Sequence, residues 1–329
     1  MAARKTLRRQ FLLQSGAALW AAGCSTVPYA DDLLRDRAPL ASLAPDAMSF
    51  TWLGTAGFLV RTAKTAVAID PYISRLSWPQ LVFGRMASDV DTATQLLPDV
   101  DAVLIGHSHF DHALDAPAIA QRTGAVLLGT RTTCHLAPRL VDDVSCRAVR
   151  GHEKLRVGDL LLRPLRSQHV EVPVVGVPLP GELKTPDESS SAPHLTDLPM
   201  GGALLWALHT PTLTVVHLSS SSLPSSTSAL PEAFPDGVDV VLASAASHHL
   251  TPRYAERIVE ELQPRLVVPH HFEDFAATLP KTLTPDQSEM GQSFVDRITA
   301  LGVDAELPQP LVERVVSSST LRPRSDLSG

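Results

Sequence analysis

His107-Ser108-His109-Phe110-Asp111-His112 puts three imidazoles and a carboxylate into six positions, directly after the apolar run Asp101-Ala102-Val103-Leu104-Ile105-Gly106. A strand that ends in such a loop aims alternate side chains at one point and leaves the residues that follow for a second. Neutral imidazole and carboxylate are borderline-to-hard ligands suited to zinc, manganese or iron. An isolated His-x-His is more simply a polar loop. Four ligand-type residues behind a buried strand point to a metal site.

Other stretches extend the pattern in both directions. Upstream, Thr51-Trp52-Leu53-Gly54-Thr55-Ala56-Gly57-Phe58-Leu59-Val60 precedes Val67-Ala68-Ile69-Asp70-Pro71. Downstream, Arg166-Ser167-Gln168-His169-Val170 follows the alternating, apolar Asp159–Leu165, and Val267-Val268-Pro269-His270-His271 ends a second apolar run, with Phe272-Glu273-Asp274-Phe275 after it. In this order, over residues 46–310, the motifs resemble the metallo-β-lactamase fold superfamily of metallohydrolases, whose signature is HxHxDH at a strand end. The opening strands look like those of the branch that includes L-ascorbate-6-phosphate lactonase and N-acylphosphatidylethanolamine-hydrolysing phospholipase D.

Carried over position by position, the resemblance implies that His107, His109 and His169 hold one metal ion and that Asp111, His112 and His271 hold the other. Asp111 would also orient the nucleophile, as the catalytic residue. His271 matches the Pro-x-His spacing from Pro269, which leaves His270 either behind the ligands or on the surface. Asp70 resembles the buried acid of this fold that orients a ligand imidazole through its other ring nitrogen; a strand-end carboxylate capping a turn before Pro71 is the plainer reading.

One position departs from the family. After the paired strands Ala203–Leu208 and Leu213–Leu218 the family usually shows Gly-Asp-Thr, whose aspartate bridges two metals, whereas this chain reads Ser219-Ser220-Ser221-Ser222. Ser220 stands nearest the missing carboxylate. A neutral hydroxyl neither balances charge nor bridges as strongly, so the second ion is expected to be weak, or absent, or bridged by hydroxide alone. His217 compensates only if it points into the site from its strand, and His248 and His249 either line the mouth or belong to a polar loop.

The amino terminus carries a different message. Leu7-Arg8-Arg9-Gln10-Phe11-Leu12-Leu13 is a twin-arginine pattern, and Ala21-Ala22-Gly23-Cys24 resembles a lipoprotein box with Cys24 as the acylated residue. The apolar stretch from Phe11 to Ala22 is far short of the roughly 20 residues that span a bilayer. Expected, then, are a signal peptide over 1–24, a tether over 25–45, a metallo-β-lactamase-fold domain over 46–316 and a mobile tail over 317–329. The twin-arginine route exports folded proteins, which suits a metalloenzyme that loads before crossing. The expected place is the periplasmic or cell-surface face of a bacterial membrane, held there by the lipid on Cys24.

Composition agrees with a soluble enzyme behind a tether. The chain has 329 residues, 44% of them hydrophobic, and a formal net charge of −7 without a dense basic patch after residue 10. That disfavours nucleic acid as a partner. Apart from Cys24 there are two cysteines, Cys134 and Cys146, which either pair or remain separate buried thiols. Short strands are expected at 49–53, 58–61 and 65–69. A helix is expected from an Asp115 N-cap to Gly124, with others over 254–262 and 287–301. Strands alternating with helices in two halves fit an α/β fold, an αββα sandwich with the metal loops along one edge. The aperiodic 178–199 segment, rich in Pro, Ser and Asp, follows His169 and reads as a lid over the site or a loose insertion.

The chemistry follows from the site. Zn2+, as one or two ions with Mn2+ or iron as alternatives, lowers the pKa of bound water toward ~7 and makes hydroxide available. The expected function is a metal-dependent hydrolase acting with metal-bound hydroxide on an ester, lactone, amide or phosphodiester of a small molecule or lipid. The competing reading is a non-catalytic metal- or ligand-binding lipoprotein on the same scaffold. Gly-x-Ser-x-Gly is absent, so the serine run lacks a nucleophile-elbow context.

Overall fold

The computed structural model describes residues 42–97, 100–186, 191–278 and 282–326. Arg8-Arg9, the box ending at Cys24 and residues 25–41 of the tether lie outside the described residues, as do 327–329. No helix among the described residues is long and apolar enough to cross a membrane.

Two seven-stranded sheets face each other among the described residues. The first runs β14-β1-β2-β3-β4-β5-β6, from β1 (Ala47–Gly54), β2 (Gly57–Arg61), β3 (Ala66–Ile69), β4 (Ala102–Leu104), β5 (Val126–Gly129), β6 (Cys146–Ala148) and β14 (Glu313–Ser317). The second runs β13-β12-β11-β10-β9-β8-β7, from β7 (Leu155–Val157), β8 (Leu160–Ser167), β9 (Ala203–His209), β10 (Thr214–Leu218), β11 (Val240–Ser244), β12 (Leu266–His270) and β13 (Asp304–Ala305).

Period-two side-chain geometry explains the layering. Phe58 and Val60 of β2, Val67 and Ile69 of β3, and Ala102 and Leu104 of β4 point into the core between the sheets. Their neighbours Leu59, Ala68 and Val103 point outward, against Ala93, Ile119 and Ala120 on the covering helices. A sheet buried on both faces reads as a nearly continuous apolar run, as Ala102–Ile105 does. The second sheet is covered by helices Tyr254–Leu262 and Pro285–Ala300, whose Ile258, Leu262, Phe294 and Ile298 join the core. The αββα sandwich is therefore the observed fold.

One local expectation is corrected. Helix Ala116–Thr123 does end on Gly124, in the left-handed region at φ 72°, but Asp115 makes no side-chain cap. Its buried carboxylate instead accepts from Ser74 N at 2.8 Å and Ser88 Oγ at 2.6 Å, pinning the loop after β3. After β14, Arg265 donates to the carbonyls of Ser318, Leu321 and Arg322. Cys134 and Cys146 are joined as a disulfide, with Cα atoms 5.3 Å apart.

Candidate metal centre

β4 delivers the central loop. Beyond Leu104 the chain stays extended and is gripped by the other sheet's connection, Leu204 N donating to Gly106 O at 2.8 Å and Ser108 N to Met200 O at 2.9 Å. Alternation then sends His107 and His109 to one side and Ser108 to the other, where its hydroxyl lies 2.9 Å from that of Thr133. A short helix, Phe110–Ala113, starts at once and turns Asp111 and His112 toward a second point. His169 arrives from the end of β8 and His271 from the end of β12. His271 sits in the left-handed region at φ 59° and is held there by its N–H donating to Thr55 O at 2.8 Å.

These six residues form two adjoining triads. The ligand-type atoms of His107, His109 and His169 lie within 4.8 Å of one another, and so do those of Asp111, His112 and His271. The rings of His107 and His112, 3.9 Å apart, join the two groups. Asp111 Oδ2 lies 3.2 Å from His271 Nε2 and 3.8 Å from His112 Nε2.

The hydrogen-bond partners decide which ring nitrogen carries each proton. A carbonyl only accepts, so His109 Nε2 donates to Pro178 O at 3.0 Å and His169 Nδ1 donates to Val170 O at 2.8 Å. His112 Nδ1 donates to the Asp70 carboxylate at 2.9 Å. Ser219 donates its hydroxyl proton to Asp70 Oδ2, so its oxygen accepts from His107 Nδ1 at 3.2 Å. With Nδ1 donating, His112 turns Nε2 toward Asp111, and His107, His109 and His169 are each left with one unprotonated nitrogen. That of His107, Nε2, is buried without any partner.

Electrostatics keep the three rings of the first triad uncharged, while burial pulls His112 down but the Asp111 and Asp70 charges outweigh it and raise it above the usual histidine range. Burial, then the neighbouring imidazoles, hold His107 well below the usual histidine range and His169 down at about 4. Burial pushes the Asp111 carboxyl up, but the His112 charge and the His271 hydrogen bond outweigh it and hold it far below the carboxylate range. Burial likewise opposes ionisation of Asp70, and His112 again outweighs it. Three imidazole lone pairs at the first triad, and two imidazoles around the ionised Asp111 at the second, suit divalent cations, with the imidazole and carboxylate composition of zinc-type sites.

Other residues fall differently from the sequence reading. Asp70 is fully buried, accepts from Gly106 N at 2.6 Å and from His112, and so does not cap a turn. Ser220 does not stand among the triads' hydrogen bonds; its Oγ accepts from Val170 N at 3.0 Å and steadies the segment carrying His169. Ser219 is the serine that enters the network. Sequence reasoning missed it because the lost aspartate drew attention one position on. His270 is no surface residue: it is fully buried, stacked on His217 at 4.8 Å, and neither of its ring nitrogens has a partner. His217 Nε2 donates to Ala56 O at 2.8 Å, so its proton points away from any bridging role. His248 turns to Ala245 O and packs on Phe294.

The 178–199 segment, where described, is latched. Leu183 N donates to Thr132 Oγ1 at 3.1 Å, His135 Nδ1 to Leu183 O at 2.8 Å, and Arg139 Nε to Ser191 O at 3.0 Å. Its Pro178 carbonyl is the partner of His109, so the loop forms one wall of the first triad.

Comparison with known proteins agrees with this geometry. The family described as beta-lactamase superfamily domain matches residues 49–271. A UPF0173 metal-dependent hydrolase of Anaeromyxobacter sp. (strain K) is 34% identical over 231 residues, 69% of this chain and 75% of the relative. Among solved structures, a metallo hydrolase from the archaeon Ignicoccus hospitalis aligns with TM-score 0.56 at 17% identity, over 82% of this chain and 99% of its own. A diiron beta-hydroxylase from Streptomyces venezuelae aligns at 0.53 and 17%, over 83% of this chain and 55% of its own. Likenesses at that identity speak for the fold alone.

Proposed function

The chain belongs to the beta-lactamase superfamily and is a metal-dependent hydrolase of it, and from that premise we propose that the His107/His109/His169 and Asp111/His112/His271 triads each hold a divalent ion, zinc first, and hydrolyse an ester, lactone, amide or phosphodiester. The observation that carries the proposal is the pair of adjoining ligand-type clusters, with pinned tautomers that leave an unprotonated nitrogen on each of His107, His109 and His169.

A bound divalent ion supplies Lewis acidity and lowers the pKa of water to near neutrality. The protein's own groups do the rest. Asp111, ionised at neutral pH, is placed to orient the attacking water through its carboxylate and accept its proton. Asp70 and Ser219 accept from the Nδ1–H groups of His112 and His107, which leaves Nε2 of each ring facing the site. The described part of the 178–199 segment, latched at Leu183 and Ser191, walls the first triad and is the surface against which a small-molecule or lipid substrate would lie. The twin-arginine pattern and the Cys24 box support export and lipid anchoring on the far side of a bacterial membrane.

Metal content of the purified protein, with a screen of phosphodiester, lactone, amide and ester substrates, tests the reading. Replacing His107 and His109 together by Ala is expected to abolish stoichiometric metal, and Asp111→Asn to lower kcat by roughly 10²–10⁴-fold. Ordinary metal content in the double variant would sink the assignment. Metal without turnover on any substrate would favour the binding lipoprotein instead.

A further inference from the structure

Among the described residues Asp70 is the acid that reaches both triads, the second directly and the first through a serine. Its Oδ2 accepts from His112 Nδ1 at 2.9 Å and from the Ser219 hydroxyl, whose oxygen lies 3.2 Å from His107 Nδ1. The polarity of this chain of bonds is forced. An ionised carboxylate has no proton to give, so Ser219 donates to Asp70 and its lone pair is left for the His107 N–H. His107 Nε2, opposite, is then the unprotonated, partnerless nitrogen turned to its triad.

The contact also depends on an unusually close approach. Ser219 leaves β10 directly beneath Gly106, and a Cβ on Gly106 would lie 2.1 Å from Ser219 Oγ. His107, Ser219 and Asp70 are all buried, so water is a poor substitute for the hydroxyl. A buried imidazole N–H with its partner removed loses both its orientation and its hydrogen bond.

We propose that Ser219 is a positioning residue, extending the Asp70 carboxylate to His107 so that one buried acid sets the tautomer of a metal-binding imidazole in each triad. This rests on the reading of the triads as metal sites. The serine run that lacks a bridging acid thereby gains a different function: it ties the first triad to the same carboxylate that serves the second.

The test is Zn2+ titration of the chelated full chain in two backgrounds. His271→Ala leaves the first triad intact, and His169→Ala leaves the second. Adding Ser219→Ala is expected to weaken Zn2+ binding about 10–100-fold in the first background and by less than about 3-fold in the second, while Asp70→Asn weakens both. Ser219→Gly, which also removes the hydroxyl, is expected to match Ser219→Ala, and thermal melting of the metal-free variants confirms that they are folded. Equal binding with and without the hydroxyl in the His271→Ala background overturns this proposal and leaves the metal reading standing, as does an equal loss in both backgrounds. Absence of Zn2+ binding by the unmodified protein overturns both.

Discussion

Gly106 is the residue on which entry to the His107–His112 loop turns. A side chain there would meet Ser219 Oγ at 2.1 Å, Ser219 Cβ at 2.3 Å and Asp70 Oδ2 at 3.1 Å, none of which can withdraw without breaking the hydrogen bonds to His107 and His112. Overpacking of this kind costs about 1–3 kcal/mol. Gly106→Ala is therefore expected to lower the free energy of unfolding by about that amount in chemical denaturation, and Ser219→Gly in the same chain to recover most of it. If the double variant stays as unstable as the single one, crowding by Ser219 is not the reason for the glycine. At this scale the ligand-type residues were legible because their spacing follows the local backbone, alternating along an extended segment and then turning through a helix. Ser219 was not, since its partners lie more than a hundred residues away and only the meeting of β10 with the loop after β4 brings them together.

Helix Arg131–Leu140 supports the site from behind. Its Thr133 hydroxyl meets Ser108, between two of the histidines, while Thr132, His135 and Arg139 hold the 178–199 segment. The helix is fastened to β6 by the Cys134–Cys146 disulfide, which closes a sequence separation of 12 residues. Closing a loop of that order stabilises by about 2–3 kcal/mol through the unfolded state. Replacing both cysteines by Ser is expected to lower stability by that amount, seen as an earlier denaturation midpoint that reductant no longer shifts. An unchanged midpoint would show that the bond constrains nothing the helix packing does not already hold. Helix and strand positions were readable from periodicity, so Tyr254–Leu262 appears where its apolar spacing put it. Asp115 was misread as a cap because local sequence shows a capping residue type but not the loop 72–74 that competes for its carboxylate.

The two sheets are joined where the His107–His112 loop leaves β4. Trp206, fully buried on β9, donates its indole N–H across the core to Ile105 O at 3.1 Å, beside the Leu204 N to Gly106 O bond. Trp206→Phe keeps much of the apolar volume but leaves the Ile105 carbonyl unpaired in a dry interior. A loss of about 1–3 kcal/mol is expected from urea denaturation. A loss below about 0.5 kcal/mol would mean that the carbonyl finds another partner and that the indole serves only as packing.

By itself the sequence carried the αββα sandwich and the ligand-type cluster His107, His109, Asp111 and His112, while His169 and His271 were implied by resemblance to the family. Apolar runs of strand length, punctuated by turns, leave few ways to bury both faces of two sheets, and ligand spacing within a loop is a short-range property. The tertiary structure decided what those residues rest on. Which serine serves the site, why His270 is buried against His217 and which ring nitrogens keep their protons all depend on side chains from separate strands meeting in one dry volume. Such meetings are set by packing across the sandwich, where hydrogen-bond partners are chosen by distance in space and leave no period or spacing in the chain.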